Sequence, residues 1–323
     1  MTARSTDSLR VLYVAGLPRS GSTVLGYVLG GLPGVIFVGE LTYFWRRFAE
    51  GELCSCGTPL PDCPFWSAVV GNAFGQMTRE HARELNKLER KVIRWQPFGL
   101  APVRWSTRWS KRISIMLKER AQLYQSIAEI TNTEYIIDSG KGVAFGAIMA
   151  RLNCISFITI HLVRDPRGVA FSWQKHVQSD SEPGDMPRSP AMKTAARWML
   201  SNIFVQFSLK RLSSAYSRIR YEDLLAYPDN IALEISRATS NLLGSNTWTG
   251  PRVQHVDEHH LVAGNPGVRR HLGSELRLTL DEEWRTRLPR AQQRLVMAVC
   301  GGLMAAYGYP LRKPRHLYGS RTS

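Results

Sequence analysis

Residues Val11–Leu41 read VLYVAGLPRSGSTVLGYVLGGLPGVIFVGEL, and this stretch decides the fold. Val11 to Ala15 is a short apolar run, the pattern of a parallel strand buried on both faces. Gly16 ends the run and Leu17-Pro18-Arg19-Ser20-Gly21 makes a turn. Ser22 and Thr23 then open a helix with Val24, Leu25, Val28 and Leu29 on one side, closed by Gly30-Gly31. A second apolar run, Val35 to Val38, ends at Gly39-Glu40. A tight loop feeding a helix N-terminus presents backbone N–H groups and the positive end of the helix dipole, so it binds anions, phosphate above all. An acid at the carboxyl end of a buried parallel strand lies where open α/β sheets place their ligands. The alternative for Glu40 is a cap on the helix that follows.

Outward from this unit, the same pattern recurs. Tyr135-Ile136-Ile137-Asp138 is an apolar strand ending in an acid, followed by Ser139-Gly140-Lys141. Ser156 to Val163, SFITIHLV, is a third buried strand, and Arg164-Asp165-Pro166-Arg167 follows it. Pro166 suits the first turn of a helix and Asp165 suits its cap. Pro190 to Leu212 reads as a long helix, Tyr216 to Tyr221 as a strand, and Pro228 as the opening of another helix. Strands alternating with helices predict an α/β fold, a P-loop-type parallel sheet flanked by helices. Residues 45–130 are mostly helical, broken near Pro97 and Pro102, and are expected to form a substrate-facing insertion within a single domain spanning 1–323.

The spacing Gly16-x4-Gly21 approaches the nucleotide-binding P-loop, but Ser22 stands where that motif has lysine. The P-R-S-G-S-T loop after a strand resembles the 5′-phosphosulfate loop of sulfotransferases that use 3′-phosphoadenosine-5′-phosphosulfate (PAPS). It is most similar to the protein-tyrosine and carbohydrate branches, which carry arginine at the position of Arg19. V-R-D-P-R followed by Ser172 resembles the family's 3′-phosphate motif, D-S-G-K its D-S-S-K stretch, R-Y-E-D-L a strand end, and G-N-P-G-V-R-R a late basic loop of bacterial members. The resemblance implies sulfuryl transfer from PAPS to an acceptor hydroxyl, with PAP (adenosine 3′,5′-bisphosphate) as product. It implies Glu40 as base, with Arg19 and Lys141 stabilising charge in the transition state. It implies nucleotide contacts from Pro18, Arg19, Ser20, Gly21, Ser22, Thr23, Arg164, Ser172, Tyr221, Asn265, Arg269 and Arg270. Tyr221 and Glu222 are read as structural rather than catalytic. His176 is the competing base, because the cytosolic aryl branch uses histidine. No metal is expected, since protein cations replace magnesium.

Two other classes compete. An Asp138 that held magnesium would make the chain a P-loop kinase, which the missing loop lysine and the 3′-phosphate motif oppose. The net charge of +16, with twelve Lys/Arg against four Glu between Arg79 and Arg120, would suit a nucleic-acid-binding protein, but no nucleic-acid motif accompanies it. The basic segment is read as a solvated helical face, or as a surface attracting an acidic or membrane-associated acceptor such as a glycan or lipid-linked sugar. The first eight residues are polar and no apolar run approaches the ~20 residues that span a bilayer, so the expectation is a cytoplasmic enzyme. Three of the five cysteines, Cys54, Cys56 and Cys63, fall within ten residues. A closed zinc site wants a fourth ligand, and the nearest downstream histidine, His81, has a spacing that fits no standard pattern. A disulfide or redox role is the second alternative, and a reduced structural turn is the expectation. His255 and His259, four residues apart, are a weak metal pattern.

Overall fold

The computed structural model describes residues 9–95, 107–176, 187–239, 253–255, 260–264, 275–277 and 279–311. Strand β1 is Arg10–Ala15, followed by helix α1 (Ser22–Gly30) and β2 (Val35–Phe37). Helices α2 (Phe44–Glu50), α3 (Pro64–Phe74), α4 (Arg79–Trp95) and α5 (Thr107–Thr131) then intervene before β3 (Tyr135–Lys141). The core resumes with α6 (Val143–Met149), β4 (Ser156–Val163) and α7 (Pro166–Ser172). After α8 (Ala191–Phe204), a π-helical turn at Val205–Leu209 leads into α9 (Lys210–Leu212). Next come β5 (Ala215–Arg220), α10 (Tyr221–Ala226) and α11 (Pro228–Ala238). A short antiparallel pair, β6 (Val253–His255) and β7 (Glu275–Arg277), precedes α12 (Trp284–Arg287) and α13 (Arg290–Ala306).

The five main strands form one sheet in the order β2-β3-β1-β4-β5, and every pairing is parallel. The chain enters at the centre, runs outward to β2, and returns on the other side of β1 through β4 and β5. The loop after β1 therefore sits where the order reverses, which is where such sheets leave a crevice at their carboxyl ends.

The apolar run of β1 is continuous because both faces are covered. Val11, Tyr13 and Ala15 pack into a core with Trp45, Trp66, Leu123 and Phe145, whereas Leu12 and Val14 pack with Leu25, Val28 and Ile235. The first of these cores contains most of the buried aromatics of 44–131. The helical insertion thus shares the sheet's own core. A third cluster joins α7, α8 and α13 around Trp198.

The insertion is not purely a solvated basic face. Arg120 is fully buried and makes a two-bond pair with Glu89, at 2.6 and 2.7 Å, while donating to the Leu41 carbonyl at 2.8 Å. Glu89 also accepts from the Trp45 indole at 3.0 Å. A buried ion pair is tolerable only with such extra hydrogen bonds. Here it ties α4 and α5 to the loop carrying Glu40. Arg83, Lys87, Arg90 and Lys91 on α4 remain exposed as expected. Among the described residues no helix is long and apolar enough to cross a membrane.

Candidate functional site

The turn after β1 leads into the start of α1 through a left-handed glycine. Gly21 is the helix cap with φ 92°, and among the described residues no side chain caps this end. A Cβ on Gly21 would lie 2.3 Å from the ring of Tyr221, so glycine is required both by the left-handed backbone and by the ring. Ser20, Ser22 and Thr23 are nearly buried at the mouth of the helix. First-turn N–H groups have no intrahelical acceptor, which is the electrostatic basis of an anion site.

The neighbouring strand ends converge on this loop. Ser139 N–H donates to the Gly39 carbonyl at 2.8 Å and Val38 N–H donates to the Ile137 carbonyl at 3.2 Å, which aligns the ends of β2 and β3. Glu40 and Lys141, side chains 12% exposed each, meet in a direct ion pair. Arg19 lies on the other side: burial pushes its guanidinium below the ordinary value, and the nearby Glu40 carboxylate opposes that shift. Glu40 is not a side-chain helix cap, for its carboxylate is taken by Lys141.

Among the described residues, three non-glycine residues adopt positive φ, and two of them are Arg19 (75°) and Lys141 (62°). Left-handed backbone at a long side chain costs roughly 1–2 kcal/mol. Strain of this kind persists where surrounding structure enforces it, and it concentrates at functional sites. The two cations to which the family resemblance gives charge stabilisation both have this backbone.

Asp138 does not face the loop. It is fully buried, accepts from Tyr124 Oη at 2.7 Å and from Leu41 N–H at 3.2 Å, and burial pushes its carboxyl up to about 6 despite those bonds. The magnesium-holding role open to Asp138 in the sequence is thereby corrected: its oxygens position Leu41, next to Glu40.

A second group of candidate site residues lies at the end of β4. Asp165 caps α7 by accepting from Arg167 N–H at 2.9 Å, as the motif predicts. Arg167 turns back onto Asp165 and is a structural residue. Arg164 lies 6% exposed over the Tyr221 ring, 4.6 Å from its centroid, and donates to the Arg19 carbonyl at 3.2 Å. Its Nη2 also donates to the Asp281 carboxylate at 3.2 Å, and Lys175 Nζ reaches the same oxygen at 3.2 Å. Burial alone would raise the Asp281 carboxyl, but Arg164 and Lys175 hold it below the usual carboxylate range. Ser172 closes α7, next to Trp173, whose indole donates to the Pro18 carbonyl at 3.3 Å. Arg164, Tyr221, Arg19 and the Pro18 turn are thus one assembly. Glu222 is structural, accepting from Asp165 N–H at 2.9 Å and from Tyr309 Oη at 2.8 Å.

His176 is exposed on its approach to Arg188, whose Nη1 lies 2.9 Å from its Nε2. Asn265, Arg269 and Arg270 lie outside the described residues. Lys175 and Asp281 were not legible as site residues. A lysine three positions after Ser172 was the available signal for the first; the second stands in Asp281-x2-Trp284, which resembles a family C-terminal segment but gives no sign of a pairing with Arg164, and the fold brings it in from beyond β7.

No family model matches the chain. Carbohydrate sulfotransferase 5 of Mus musculus is 26% identical over 170 residues, covering 46% of this chain and 41% of that protein. Solved structures to which this chain is similar include two sulfotransferases. The sulfotransferase domain from the curacin biosynthetic pathway is 16% identical, with a TM-score of 0.48, over 94% of this chain and 99% of that one. A sulfotransferase from Mycobacterium avium is 12% identical, with a TM-score of 0.44, over 94% and 78%. Over less than half of its length, and over less than half of that relative, this chain is thus similar in sequence to a carbohydrate sulfotransferase.

Proposed function

We propose that this chain is a sulfotransferase that moves the sulfuryl group of PAPS to a hydroxyl of an acceptor, with a carbohydrate as the leading acceptor class. The observation that carries the proposal is that the Gly21-capped loop adjoins Tyr221 and Arg164 at the carboxyl ends of the strands, where Glu40 is bonded to Lys141. A ligand with phosphates at both ends of one nucleoside suits that pairing of loop and guanidinium. The donor set fits: a buried guanidinium and an ammonium already share a carboxylate, so an anion is accommodated there.

When bound, PAPS supplies the sulfuryl group and a phosphate leaving group. The residues of this chain do the rest by position and charge. Loop amides from Ser20 to Thr23 hold the 5′ end. Arg164, Ser172 and Lys175 hold the 3′-phosphate and fix the register of the nucleotide. The acceptor hydroxyl loses its proton to a Glu40 carboxylate oxygen, a contribution of roughly 10²–10⁴-fold. Arg19 and Lys141, both in left-handed backbone, supply positive charge beside Glu40, to which Lys141 is bonded. The exposed arginines and lysines of α4 attract an acidic acceptor.

The test is direct. The purified chain, radiolabelled PAPS and a panel of glycans, lipid-linked sugars, phenols and tyrosine peptides are incubated and the label followed. Calorimetry with PAP and with adenosine 5′-monophosphate runs alongside. Label transfer and selective PAP binding are expected; failure to distinguish the two nucleotides overturns the proposal.

A further inference from the structure

We propose that Cys54, Cys56, Cys63 and His260 form a structural zinc site that clamps the loop beside Glu40. The ligand atoms of all four residues lie within 4.8 Å of one another. The fourth ligand is not in the cysteine segment at all. His260 arrives from 197 residues beyond Cys63, whereas His81 sits exposed on α4 near Glu84.

Three of the six ligand-atom spacings come close to those of a tetrahedral site. With Zn–S near 2.3 Å and Zn–N near 2.0–2.1 Å, ligand atoms stand about 3.8 Å apart for two sulfurs and about 3.5 Å for sulfur and nitrogen. Cys56 Sγ and Cys63 Sγ are 3.7 Å apart, and His260 Nδ1 is 3.2 Å from Cys63 Sγ and 3.9 Å from Cys54 Sγ. The thiols are free of disulfides.

The surroundings are built for ligation. Cys54 opens a tight turn in which its N–H donates to the Thr58 carbonyl at 2.8 Å and its carbonyl accepts from Gly57 N–H at 3.0 Å. Cys63 caps α3. The His260 ring stacks on Phe65 at 12°, with centroids 5.2 Å apart, and its carbonyl accepts from the Trp66 indole at 2.9 Å. The ring is therefore held with Nδ1 toward the sulfurs. Cys54 and Cys63 are fully buried. Three thiolates and one imidazole close the coordination sphere, which marks a structural rather than a catalytic zinc.

The clamp has a defined target. Leu261 exchanges hydrogen bonds with Ser55, and Val262 N–H donates to the Val38 carbonyl at 3.1 Å. A Cβ on Gly39 would lie 2.4 Å from the Ala263 carbonyl. The segment at 260–263 is thus wedged between the cysteine turn and the end of β2, one residue from Glu40. Zinc would fix both the position of Glu40 and the point from which the chain enters Asn265–Arg270. This assignment stands whether or not PAPS is the donor.

The experiment is metal analysis and X-ray absorption on the full chain purified without chelator and under reducing conditions. About one zinc per chain with three sulfur and one nitrogen neighbours is expected. Mercurial titration should release that zinc, and the melting temperature should fall by more than about 5 °C. Cys56→Ser, on the exposed rim, and His260→Ala should each lose most of the zinc, while Cys154→Ser should keep it. Absence of zinc after reconstitution, a disulfide between any two of the three cysteines, or full zinc retention in His260→Ala would overturn the site. The wild-type absorption spectrum decides the matter even if a variant fails to fold.

Discussion

The Arg164 guanidinium and the Asp281 carboxylate meet at 3.2 Å, and Lys175 shares the same carboxylate oxygen. An internal carboxylate therefore occupies Arg164, which the motif resemblance assigns to a 3′-phosphate, together with Lys175, which it does not. In the proposed enzyme the nucleotide and Asp281 compete for them, because one guanidinium and one ammonium cannot neutralise two anions equally well.

Asp281→Asn should consequently tighten PAP binding by roughly three- to thirtyfold, up to about 2 kcal/mol, with adenosine 5′-phosphosulfate little affected. Arg164→Ala and Ser172→Ala should weaken PAP far more than adenosine 5′-phosphosulfate. Calorimetry with both ligands reads all three variants. Equal losses for both ligands would remove the 3′-phosphate role of Arg164.

Glu40→Gln keeps size and hydrogen bonding but removes basicity. Turnover is expected to fall by roughly two to four orders of magnitude while PAP affinity stays near wild type. His176→Ala should retain most activity, because His176 lies outside the Glu40–Lys141 pair and contacts Arg188. The reverse outcome, an inactive His176→Ala beside a nearly normal Glu40→Gln, would transfer the base to His176.

Arg120→Ala leaves Glu89 charged and buried without its partner. A loss of about 3–5 kcal/mol is expected in denaturant unfolding. Arg120→Met with Glu89→Gln should recover much of that stability, since the pair is then replaced rather than broken. If the double variant regains stability but not turnover, the Arg120–Leu41 hydrogen bond positions the Glu40 loop.

Asp138 has a folded-state carboxyl pushed up to about 6 by burial, above its unfolded value near 3.9. The native state then holds a proton that the unfolded state has released over that interval. The contribution of Asp138 to stability should increase as the pH falls from about 7 to about 4, and be flat below. Thermal melts across this range should show wild type gaining stability relative to Asp138→Asn as the pH falls from about 7 to about 4. A constant difference would mean that Asp138 titrates normally.

Local chemistry was legible wherever one short segment carries the whole physical requirement. A buried parallel strand announces itself as the run Val11–Ala15, a tight turn into a helix as Gly16 through Thr23, and a capped helix as Asp165-Pro166. Strand ends, and with them Glu40, Lys141 and Arg164, follow from those runs because a parallel sheet puts all its carboxyl ends on one side. Boundaries moved little: Val38 left β2 to bond with Val262, and Tyr221 left β5 to open α10.

What the chain alone determined is therefore the parallel α/β core and the identity of the loops at its carboxyl edge. Only the tertiary structure decided which distant groups meet there. It paired Arg164 with Asp281, turned Asp138 inward to Tyr124, buried Arg120 against Glu89, and carried His260 to the cysteine turn. Each of those contacts joins residues whose separation in sequence exceeds any periodicity of helix or strand. Their geometry is set by how the insertion and the C-terminal segments pack on the sheet, and not by local propensity.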